Sequence, residues 1–438
     1  MFRRAGLCLT PESMTTVCLV TTGHLSTNPR LVKEADALHE AGYAVRVVAC
    51  EFMPWARAAD AAFHDRPWPV ELVRFGALAD GVAGRWTRLR YHTARAAVAR
   101  VGPTRAPDVL LERAAHYVTP DLRRAAASAP ADVFIAHNLG ALPAAASAAR
   151  HWRARLGFDA EDFHRGELAS TPATAPQRAL VGAIEQRFMP YCDYITAASD
   201  GIADAYVHAI GIPRPTTVLN VFPRADLHAA VEPASLADEV PRGARSLHWF
   251  SQTIGPGRGL EDAVRALARL PPDVLLSLRG GWAEGYQDQL RGLAEALGVG
   301  RRVRVLAHCP PNEVVRRAGE HDVGLALEVG LTVNRDVCVT NKIFTYLLAG
   351  LPVAASATTG QRAICAEIPR ATQLYDPGDA EGLARAATSL LGAEARAAAE
   401  AARGRYVWDA EKHIVLNLVG DVVARPLPRR ERQPAAAK

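Results

Sequence analysis

The sequence has few cysteines, no long apolar run and little net charge, and each shortage excludes a class of protein. Its seven cysteines among 438 residues are scattered and form no CxxC pair. This argues against a disulfide framework or a zinc site and indicates a reducing compartment. No apolar run reaches the length of a membrane span. A formal charge of +5 argues against nucleic acid as a partner. We therefore expect a cytoplasmic protein.

The composition that remains is that of a globular chain with room for two domains. Apolar residues make up 49% and charged residues 22%, and 438 residues suit two domains better than one. We expect a disordered leader over 1–14, a first domain over 15–222 and a hinge or linker over 223–245. A second domain is expected over 246–405, and a disordered tail over 425–438.

Short β-branched runs alternate with helical patterns in both halves. The first run, Thr16–Thr21, is followed by a helical pattern that ends at Gly42 and by a strand over Val45–Val48. This length suits a right-handed crossover in a parallel sheet. Further strands are predicted at 133–136, 194–197, 217–220, 246–250, 274–278, 303–306, 323–327 and 353–355. The alternation predicts an α/β fold of two Rossmann-like, doubly wound domains facing across a cleft.

The segment Thr340–Ser356 predicts a capped helix that runs into a buried strand. Thr340 is placed to cap the helix, Gly350 to take the left-handed position after it, and Pro352 to prevent its continuation. Lys342 lies in the first turn, where the helix dipole disfavours a cation unless an anion is shared. The segment therefore predicts a phosphate or diphosphate site. A surface lysine on an ordinary helix is the alternative.

A glycine-rich loop, Ser251–Gly259, joins the first strand and first helix of the second half. Gly255 and Gly257 allow a phosphate to approach the backbone, and Arg258 can make a bidentate contact with it. The corresponding loop of the first half, Gly23–Arg30, has no GxGxxG pattern, so we do not interpret it as a nicotinamide site. Both loops also fit ordinary turns between a strand and a helix.

Six motifs occur in chain order between residues 16 and about 420. They are Gly23-x-x-Ser26-x-Asn28-Pro29-Arg30, Phe158–His164, Ala198-Ser199-x-x-Ile202, Val218–Pro223, Gly257–Glu261 and Asn341–Val353. In this order the chain resembles glycosyltransferases of the two-Rossmann-domain (GT-B) type, in particular family 4 of retaining, nucleotide-sugar-dependent enzymes. The resemblance implies that the second half holds the nucleotide sugar and the first half shapes the acceptor side. It also implies a final helix over 406–424 that returns to the first domain.

The resemblance also implies a set of site residues. The donor-side candidates are Gly255, Gly257, Arg258, Glu328, Thr340, Asn341, Lys342 and Thr345, and the acceptor-side candidates are Gly23, Ser26, Asn28, Asp159, Glu161 and His164. Arg258 and Lys342 are expected to neutralise the diphosphate with the help of loop amides and the helix start. His137 is a third catalytic candidate because imidazole titrates near neutrality. A histidine that closes a strand end is its alternative role.

The sequence departs from the family's pattern at the donor site. Two glutamates usually stand there, separated by seven residues, and this chain has Val337 and Thr345 at their positions. Glu328 is the nearest upstream acid, and Thr253 stands where a second basic residue is common. The departure bears on activity more than on fold. It leaves two alternatives: a catalytically silent relative that acts as a binding or partner subunit, and a nucleotide-sugar 2-epimerase.

The cluster Asp159, Glu161, Asp162 and His164 has three possible roles. It can bind sugar hydroxyls or orient the acceptor, it can form a solvated loop, and its residue types also suit a divalent cation. Enzymes of the family that this chain resembles usually need no metal. We therefore expect no metal and no other cofactor, with the nucleotide sugar as co-substrate. Asn220, after a predicted strand, is a candidate for the cleft or for a turn.

The stretch Arg85–Arg124 is rich in arginine and poor in acids, with Trp86 and Tyr91 between the charges. It can contact the inner face of an anionic membrane, which would suit a lipid-linked acceptor. Solvated helix faces are the alternative. Taken together, the resemblance predicts transfer of a sugar from a nucleoside-diphosphate sugar to a hydroxyl of a glycan, a lipid-linked or a small-molecule acceptor. The anomeric configuration is retained, and polysaccharide biosynthesis is the expected setting.

Overall fold

The computed structural model describes residues 14–75, 81–232 and 239–426. The predicted leader up to residue 13, residues 233–238 of the predicted hinge and the predicted tail from residue 427 lie outside them. The strands are β1 (Thr16–Thr21), β2 (Ala44–Glu51), β3 (Val70–Arg74), β4 (Val133–His137), β5 (Arg155–Ala160), β6 (Tyr194–Ala197), β7 (Thr216–Thr217), β8 (Arg245–Ile254), β9 (Val274–Trp282), β10 (Val303–Leu306), β11 (Val323–Ala326), β12 (Val353–Ser356) and β13 (Thr372–Tyr375).

Helices follow most of these strands. They are α1 (Pro29–Glu40), α2 (Pro54–Asp60), α3 (Gly81–Val101), α4 (Asp108–Ala115), α5 (Thr119–Ala126), α6 (Leu142–Trp152), α7 (Ala175–Phe188), α8 (Asp200–Ile210), α9 (Leu260–Leu267), α10 (Tyr286–Ala296), α11 (Val314–Ala318), α12 (Val333–Val337), α13 (Asn341–Ala349), α14 (Thr359–Glu367), α15 (Ala380–Leu390), α16 (Ala393–Ala402) and α17 (Trp408–Ala424).

Within the described residues the strands form two sheets. One has seven strands in the order β3-β2-β1-β4-β5-β6-β7, and the other has six in the order β10-β9-β8-β11-β12-β13. Neighbouring strands run parallel, as in the pairs β1–β4 and β8–β11. In each sheet the chain order reverses beside the first strand, which is the doubly wound arrangement. The predicted α/β fold with two Rossmann-like sheets is confirmed.

The chain divides into two compact units. Within the described residues, the first comprises 14–75, 81–159, 179–195 and 415–426, and the second 160–178, 196–232 and 239–414. These bounds differ from the predicted domain boundaries, which place residues 160–178 and 196–222 in the first domain. The helix predicted over 406–424 is observed as α17, and its residues fall in the second unit up to Ile414 and in the first from Val415.

Central strands of both sheets are buried on both faces. Leu19 of β1 and Ile135 of β4 are fully buried in the first sheet, and Trp249 of β8 and Leu325 of β11 in the second. A parallel sheet covered by helices on both faces requires such continuous apolar strands. This is why these strands could be recognised in the sequence.

The strands that the sequence did not indicate lack such a run. Strand β3 lies at a sheet edge and exposes Leu72 to solvent. Strand β5 carries Arg155 and Asp159, whose burial depends on ion pairs that a local pattern cannot reveal. Its Gly157 lies where the Tyr194 ring would be 2.4 Å from an added Cβ. Conversely, the strand predicted over 217–220 is observed only as the two residues of β7.

Candidate functional site

A pocket of about 400 Å³ lies at the carboxyl ends of β8 and β11, where the strand order of the second sheet reverses. Ligands of open α/β sheets bind at such switch points. All of its lining residues belong to the second unit. They are Glu161, Asp162, Ala198, Asn220, Phe250, Ser251, Arg258, Glu328, Asn334, Arg335, Cys338, Val339, Thr340, Asn341 and Lys342. The pocket thus brings together five of the eight donor-side candidates, with Asn220 and one acceptor-side candidate, Glu161.

Helix α13 begins at this pocket without a side-chain cap. Thr340 has the extended conformation of an N-cap residue, but its side chain makes no cap hydrogen bond. Instead its hydroxyl accepts a hydrogen bond from Nζ of Lys342 at 3.4 Å. The predicted capping role of the Thr340 side chain is therefore wrong, whereas the left-handed Gly350 (φ +76°) after the helix is confirmed. The helix start is open to an anion.

Five other helices of the described residues begin with a side-chain cap. Side chains accept a hydrogen bond from a first-turn amide at α1, α8, α12, α14 and α15, and the capping residues are Asn28, Ser199, Thr332, Thr358 and Asp379. Helix α13 differs from these five because no side chain accepts a hydrogen bond from its first-turn amides.

Lys342 is buried in the pocket wall. Its Nζ lies 4.0 Å from Oε1 of Glu328 and stands over the Trp249 ring, 5.4 Å from the centroid. Burial lowers the pKa of Lys342, Glu328 opposes this effect, and Arg258 and Arg335 lower the pKa further. The aromatic face offsets part of the lost hydration of the ammonium group. A bound anion would stabilise its charge.

Arg335 is a third cation of the pocket, and the sequence analysis did not identify it as a site residue. Its Nη1 lies 3.0 Å from Oε2 of Glu328 and 3.4 Å from the carbonyl oxygen of Gly257. Burial and the nearby Arg335 lower the pKa of Arg258, and Glu328 opposes them. Within the described residues Arg258 forms no ion pair. Arg335 and Lys342 thus contact Glu328, and Arg258 lines the same pocket. Three cations together favour a bound anion.

Arg335 is positioned by a short segment, residues 332–338, which we name the Arg335 segment. One end is held by Asn334, whose Nδ2 donates to Oδ1 of Asp162 at 2.7 Å and whose Oδ1 accepts from the Phe163 N–H at 2.8 Å. Burial raises the pKa of Asp162, and the Asn334 amide opposes that shift. This contact explains why residues 160–163 belong to the second unit.

The other end of the Arg335 segment packs against two helix starts. The Ser199 hydroxyl donates to the Val337 carbonyl oxygen at 2.8 Å, and the Thr359 hydroxyl donates to Asp336 at 2.7 Å. At Gly360 an added Cβ would lie 2.2 Å from the Cys338 carbonyl oxygen. Contacts with elements distant in sequence therefore fix the segment, and no local motif encodes its position.

The remaining donor-side candidates, Gly255, Gly257 and Thr345, do not line the pocket. Gly255 and Gly257 lie in the loop between β8 and α9, and Gly257 has a left-handed φ of +70°. Thr345 is fully buried, and its hydroxyl donates to the Asn341 carbonyl oxygen at 3.1 Å within α13. Thr345 is therefore not among the pocket-lining residues. Glu328, by contrast, lines the pocket and contacts Arg335 and Lys342.

Acceptor-side candidates of the first unit take part in local structure. Oδ1 of Asn28 accepts from the Leu31 N–H and so caps α1. The Ser26 N–H donates to Oδ1 of Asp60 at 2.8 Å. Gly23 lies half-buried in the same loop. These contacts establish how the loop is held and assign it no ligand, so its acceptor role stays a prediction.

His137 is fully buried between two carboxylates of the first unit. Its Nε2 lies 3.2 Å from Glu34, and its Nδ1 lies 3.4 Å from Asp159. These three side chains place ligand atoms within 4.8 Å of one another, as a metal site would. However, Arg30 donates to both Asp159 oxygens, at 2.6 and 2.8 Å, and occupies the positions that a cation would need.

The charge of Asp159 follows from the same contacts. Burial raises its pKa, but the Arg30 charge and hydrogen bonds from His137 and Arg30 outweigh burial and hold the pKa below its usual range. The predicted acidic cluster is split. Asp159 is buried in the first unit, Glu161 lines the pocket of the second, and Nδ1 of His164 lies 2.5 Å from Glu167.

No helix within residues 14–75, 81–232 and 239–426 is both long and apolar enough to cross a membrane.

Two doubly wound parallel sheets are the arrangement found in the GT-B fold. No protein-family model and no curated protein matches the sequence. Among solved structures, the chain is similar to HepE from Anabaena in complex with UDP, with a TM-score of 0.65 and 17% identity over 93% of this chain and 100% of that one.

Two further solved structures have the same fold. A glycosyltransferase from Rickettsia africae has a TM-score of 0.65 and 11% identity over 94% of this chain and 100% of that one. Sucrose-phosphate synthase from Thermosynechococcus elongatus has a TM-score of 0.60 and 15% identity over 94% and 99%. At these identities the likeness establishes the fold, and the predicted GT-B fold is confirmed.

Proposed function

We propose that this chain transfers a sugar from a nucleoside-diphosphate sugar to a hydroxyl acceptor. The observation that carries the proposal is the grouping of Arg258, Arg335 and Lys342 around the carboxylate of Glu328. This group lies beside the uncapped start of α13. A diphosphate is the anion that fits several cations and a helix N-terminus together. The presence of UDP in the HepE structure supports the same assignment.

The cationic cluster would act on the leaving group. As the bond from the sugar to the diphosphate breaks, negative charge grows on the diphosphate oxygens. Arg258 and Arg335 can share that charge through bidentate contacts, and Lys342 can do so as a point charge. Attack by the acceptor hydroxyl on the face that the diphosphate leaves needs no protein nucleophile. It retains the anomeric configuration, which is the stereochemistry we propose.

The same cations would remove the need for a metal. A divalent cation bound to a nucleotide neutralises phosphate charge, and the pocket already provides three positive side chains, two of which contact Glu328. Glu161 and Asp162 lie in the wall formed by residues 160–163, and Asp162 is already bonded to the Asn334 amide. We therefore include no metal and no other cofactor in the proposal.

We infer that the acceptor is a hydroxyl of a glycan, of a lipid-linked compound or of a small molecule. The arginine-rich stretch Arg85–Arg124 supports contact with the inner face of an anionic membrane, where a lipid-linked acceptor would be presented.

Nucleotide-dependent melting tests the donor site. Melting temperatures would be measured with UDP, GDP, dTDP, ADP and CMP for the wild type and Lys342→Ala. A ligand at a hundred times its dissociation constant adds about 2.7 kcal/mol, which raises the melting temperature by several degrees. One nucleoside diphosphate should stabilise the wild type and not the variant. Arg362→Ala is the matched control, because Arg362 is exposed in the second unit and pairs with Asp376 outside the pocket.

Two other outcomes would change the assignment. If no nucleotide shifts the melting temperature of the wild type, the donor site is wrong. Binding without release of nucleoside diphosphate from any sugar donor and acceptor would favour the silent subunit, which the replacement of two glutamates by Val337 and Thr345 also favours. Conversion of a nucleotide sugar to its 2-epimer without an acceptor would identify an epimerase.

A further inference from the structure

A groove of about 630 Å³ runs between α3, α4 and α5 of the first unit. Its floor is apolar and includes Leu110 and Pro120, and Trp86 and Leu89 of α3 form one edge. From Trp86 to Ala97, which lines its other end, α3 extends about 16 Å. None of the pocket residues of the second unit contributes to it. The groove is therefore elongated, narrow and separate from the proposed donor site.

An apolar stripe of α3 leads into the groove. Val82, Trp86 and Leu89 follow a spacing of four and then three residues, which places them on one helix face. They are 74%, 60% and 55% exposed. An exposed tryptophan beside two aliphatic side chains and an apolar groove is a common feature of binding surfaces and is unusual on an inert one.

Charge beside this stripe has one sign. Residues 81–107 contain six arginines and no aspartate or glutamate. At the groove, Arg90 is paired with Asp121 and Arg123 with Glu112. Arg113 lines the groove, is exposed and forms no ion pair within the described residues. The charge of Arg113 acts on Glu112, which is already paired with Arg123. An exposed arginine at the rim of an apolar groove favours a ligand that carries both an anionic group and an apolar chain.

We propose that this groove binds one anionic phospholipid of a membrane leaflet. The acyl chain would lie along the apolar floor beside Trp86 and Leu89, and the phosphate would contact Arg113 at the rim. The inference rests on the proposed membrane contact of the Arg85–Arg124 stretch and is independent of the nucleotide pocket. Charge complementarity selects this occupant, because an acidic peptide would supply the charge without the long apolar chain. Tryptophan at the edge suits the interface between headgroups and chains.

Binding to vesicles tests the charge requirement. Co-sedimentation would be compared for phosphatidylcholine vesicles with and without phosphatidylglycerol. We expect stronger partitioning with the anionic lipid, weakened by added salt. Arg113→Gln should reduce partitioning about fivefold, the effect of one basic residue at an anionic surface. The matched control is Arg100→Gln, since Arg100 is exposed on α3 but does not line the groove. Equal losses in both variants would overturn the groove as the binding site.

Quenching by brominated acyl chains tests insertion of the chain. The fluorescence contributed by Trp86 is obtained as the difference between wild type and Trp86→Phe. We expect brominated chains in anionic vesicles to quench this contribution and Leu89→Gln to reduce the quenching. If Trp86 is not quenched while the protein sediments with the vesicles, the groove holds no chain and the proposal is wrong.

Nucleotide-induced melting shifts of the same variants separate this inference from the proposed function. Arg113→Gln and Leu89→Gln should keep the wild-type shifts, because both residues lie outside the nucleotide pocket. Lipid binding without any nucleotide shift would reject the donor site alone. Nucleotide shifts without preference for anionic vesicles would reject the lipid groove alone.

Discussion

The guanidinium of Arg335 contacts the carboxylate of Glu328 at 3.0 Å, and the second oxygen of the same carboxylate lies 4.0 Å from Nζ of Lys342. Glu328 thereby bridges two cations that would otherwise repel each other, and Arg258 stands nearby without an ion pair within the described residues. One buried acid limits the repulsion in the absence of a ligand and leaves positive charge for an incoming anion.

Glu328→Gln should have opposite effects on stability and on ligand binding. Without the carboxylate, Arg335 and Lys342 lose their shared counter-charge, so we expect a loss of about 3 kcal/mol in the free energy of unfolding. A diphosphate would then replace the missing counter-charge, and its affinity should rise about tenfold, or about 1.4 kcal/mol. Urea unfolding and titration calorimetry with UDP measure the two effects. Weaker UDP binding in the variant would contradict this account.

Arg335→Ala should weaken binding of a nucleoside diphosphate. Loss of one charged hydrogen-bonding partner costs about 1.5–3 kcal/mol, or roughly 10- to 100-fold in the dissociation constant. Arg335→Lys should bind the nucleoside diphosphate with intermediate affinity, because lysine keeps the charge but lacks the planar guanidinium that makes bidentate contacts. Titration calorimetry compares them with the control Arg362→Ala. If Arg335→Ala binds as tightly as that control, Arg335 does not contact the diphosphate.

Arg258 and Lys342 were predictable from the sequence, and Arg335 was not. The first two follow recognisable local features, a glycine-rich loop after a strand and a helix start. Arg335 lies on a five-residue helix whose position depends on Asn334 bonding Asp162, 172 positions away in the chain. A single sequence carries no trace of that contact.

Contacts between residues distant in the chain also limited what could be predicted about His137 and about the strands. The location of His137 at the end of a strand was predicted, but its burial between Glu34 and Asp159 depends on side chains of α1 and β5. Strands with continuous apolar runs were found. An edge strand such as β3, and a strand with buried ion pairs such as β5, were not.

Gly360→Ala should displace the Arg335 segment. An added Cβ would lie 2.2 Å from the Cys338 carbonyl oxygen, a contact that neither backbone can relieve cheaply. We expect a loss of about 1–3 kcal/mol in unfolding free energy and weaker UDP binding. Gly292→Ala in α10 is the control, because its Cβ meets nothing within 4 Å and alanine favours a helix by about 1 kcal/mol. Equal stability of the two variants would contradict the packing argument.

Acid should destabilise the protein through His248 of β8. Its ring is fully buried, stacks on His321 with centroids 4.1 Å apart, and has two nitrogens without a hydrogen-bond partner in the described residues. Burial, with the charges of His321 and Arg279, lowers the pKa of His248 well below its usual value. Glu239 contacts both His321 and Arg279, the two residues whose charges act on His248.

The sign of the pH effect follows from proton uptake. Below about pH 6.5 the unfolded chain protonates this imidazole and the folded chain does not, so stability falls as pH falls. The slope for one such histidine is about 1.4 kcal/mol per pH unit. His248→Phe keeps the ring stacking and should reduce the slope by that amount as the pH falls below about 6.5. Urea unfolding at a series of pH values measures it, and an unchanged slope would show that His248 does not titrate on unfolding.

The hydrogen bond from the Phe163 N–H to the Asn334 side chain joins positions 171 residues apart in the chain. Exchange of this amide proton with solvent requires the hydrogen bond to open, as it does when the Arg335 segment moves away from residues 160–163. The exchange rate of this amide therefore reports how often the segment leaves its position. An anion that holds Arg335 in place would slow it, so occupancy of the pocket can be followed at an atom that never touches the ligand.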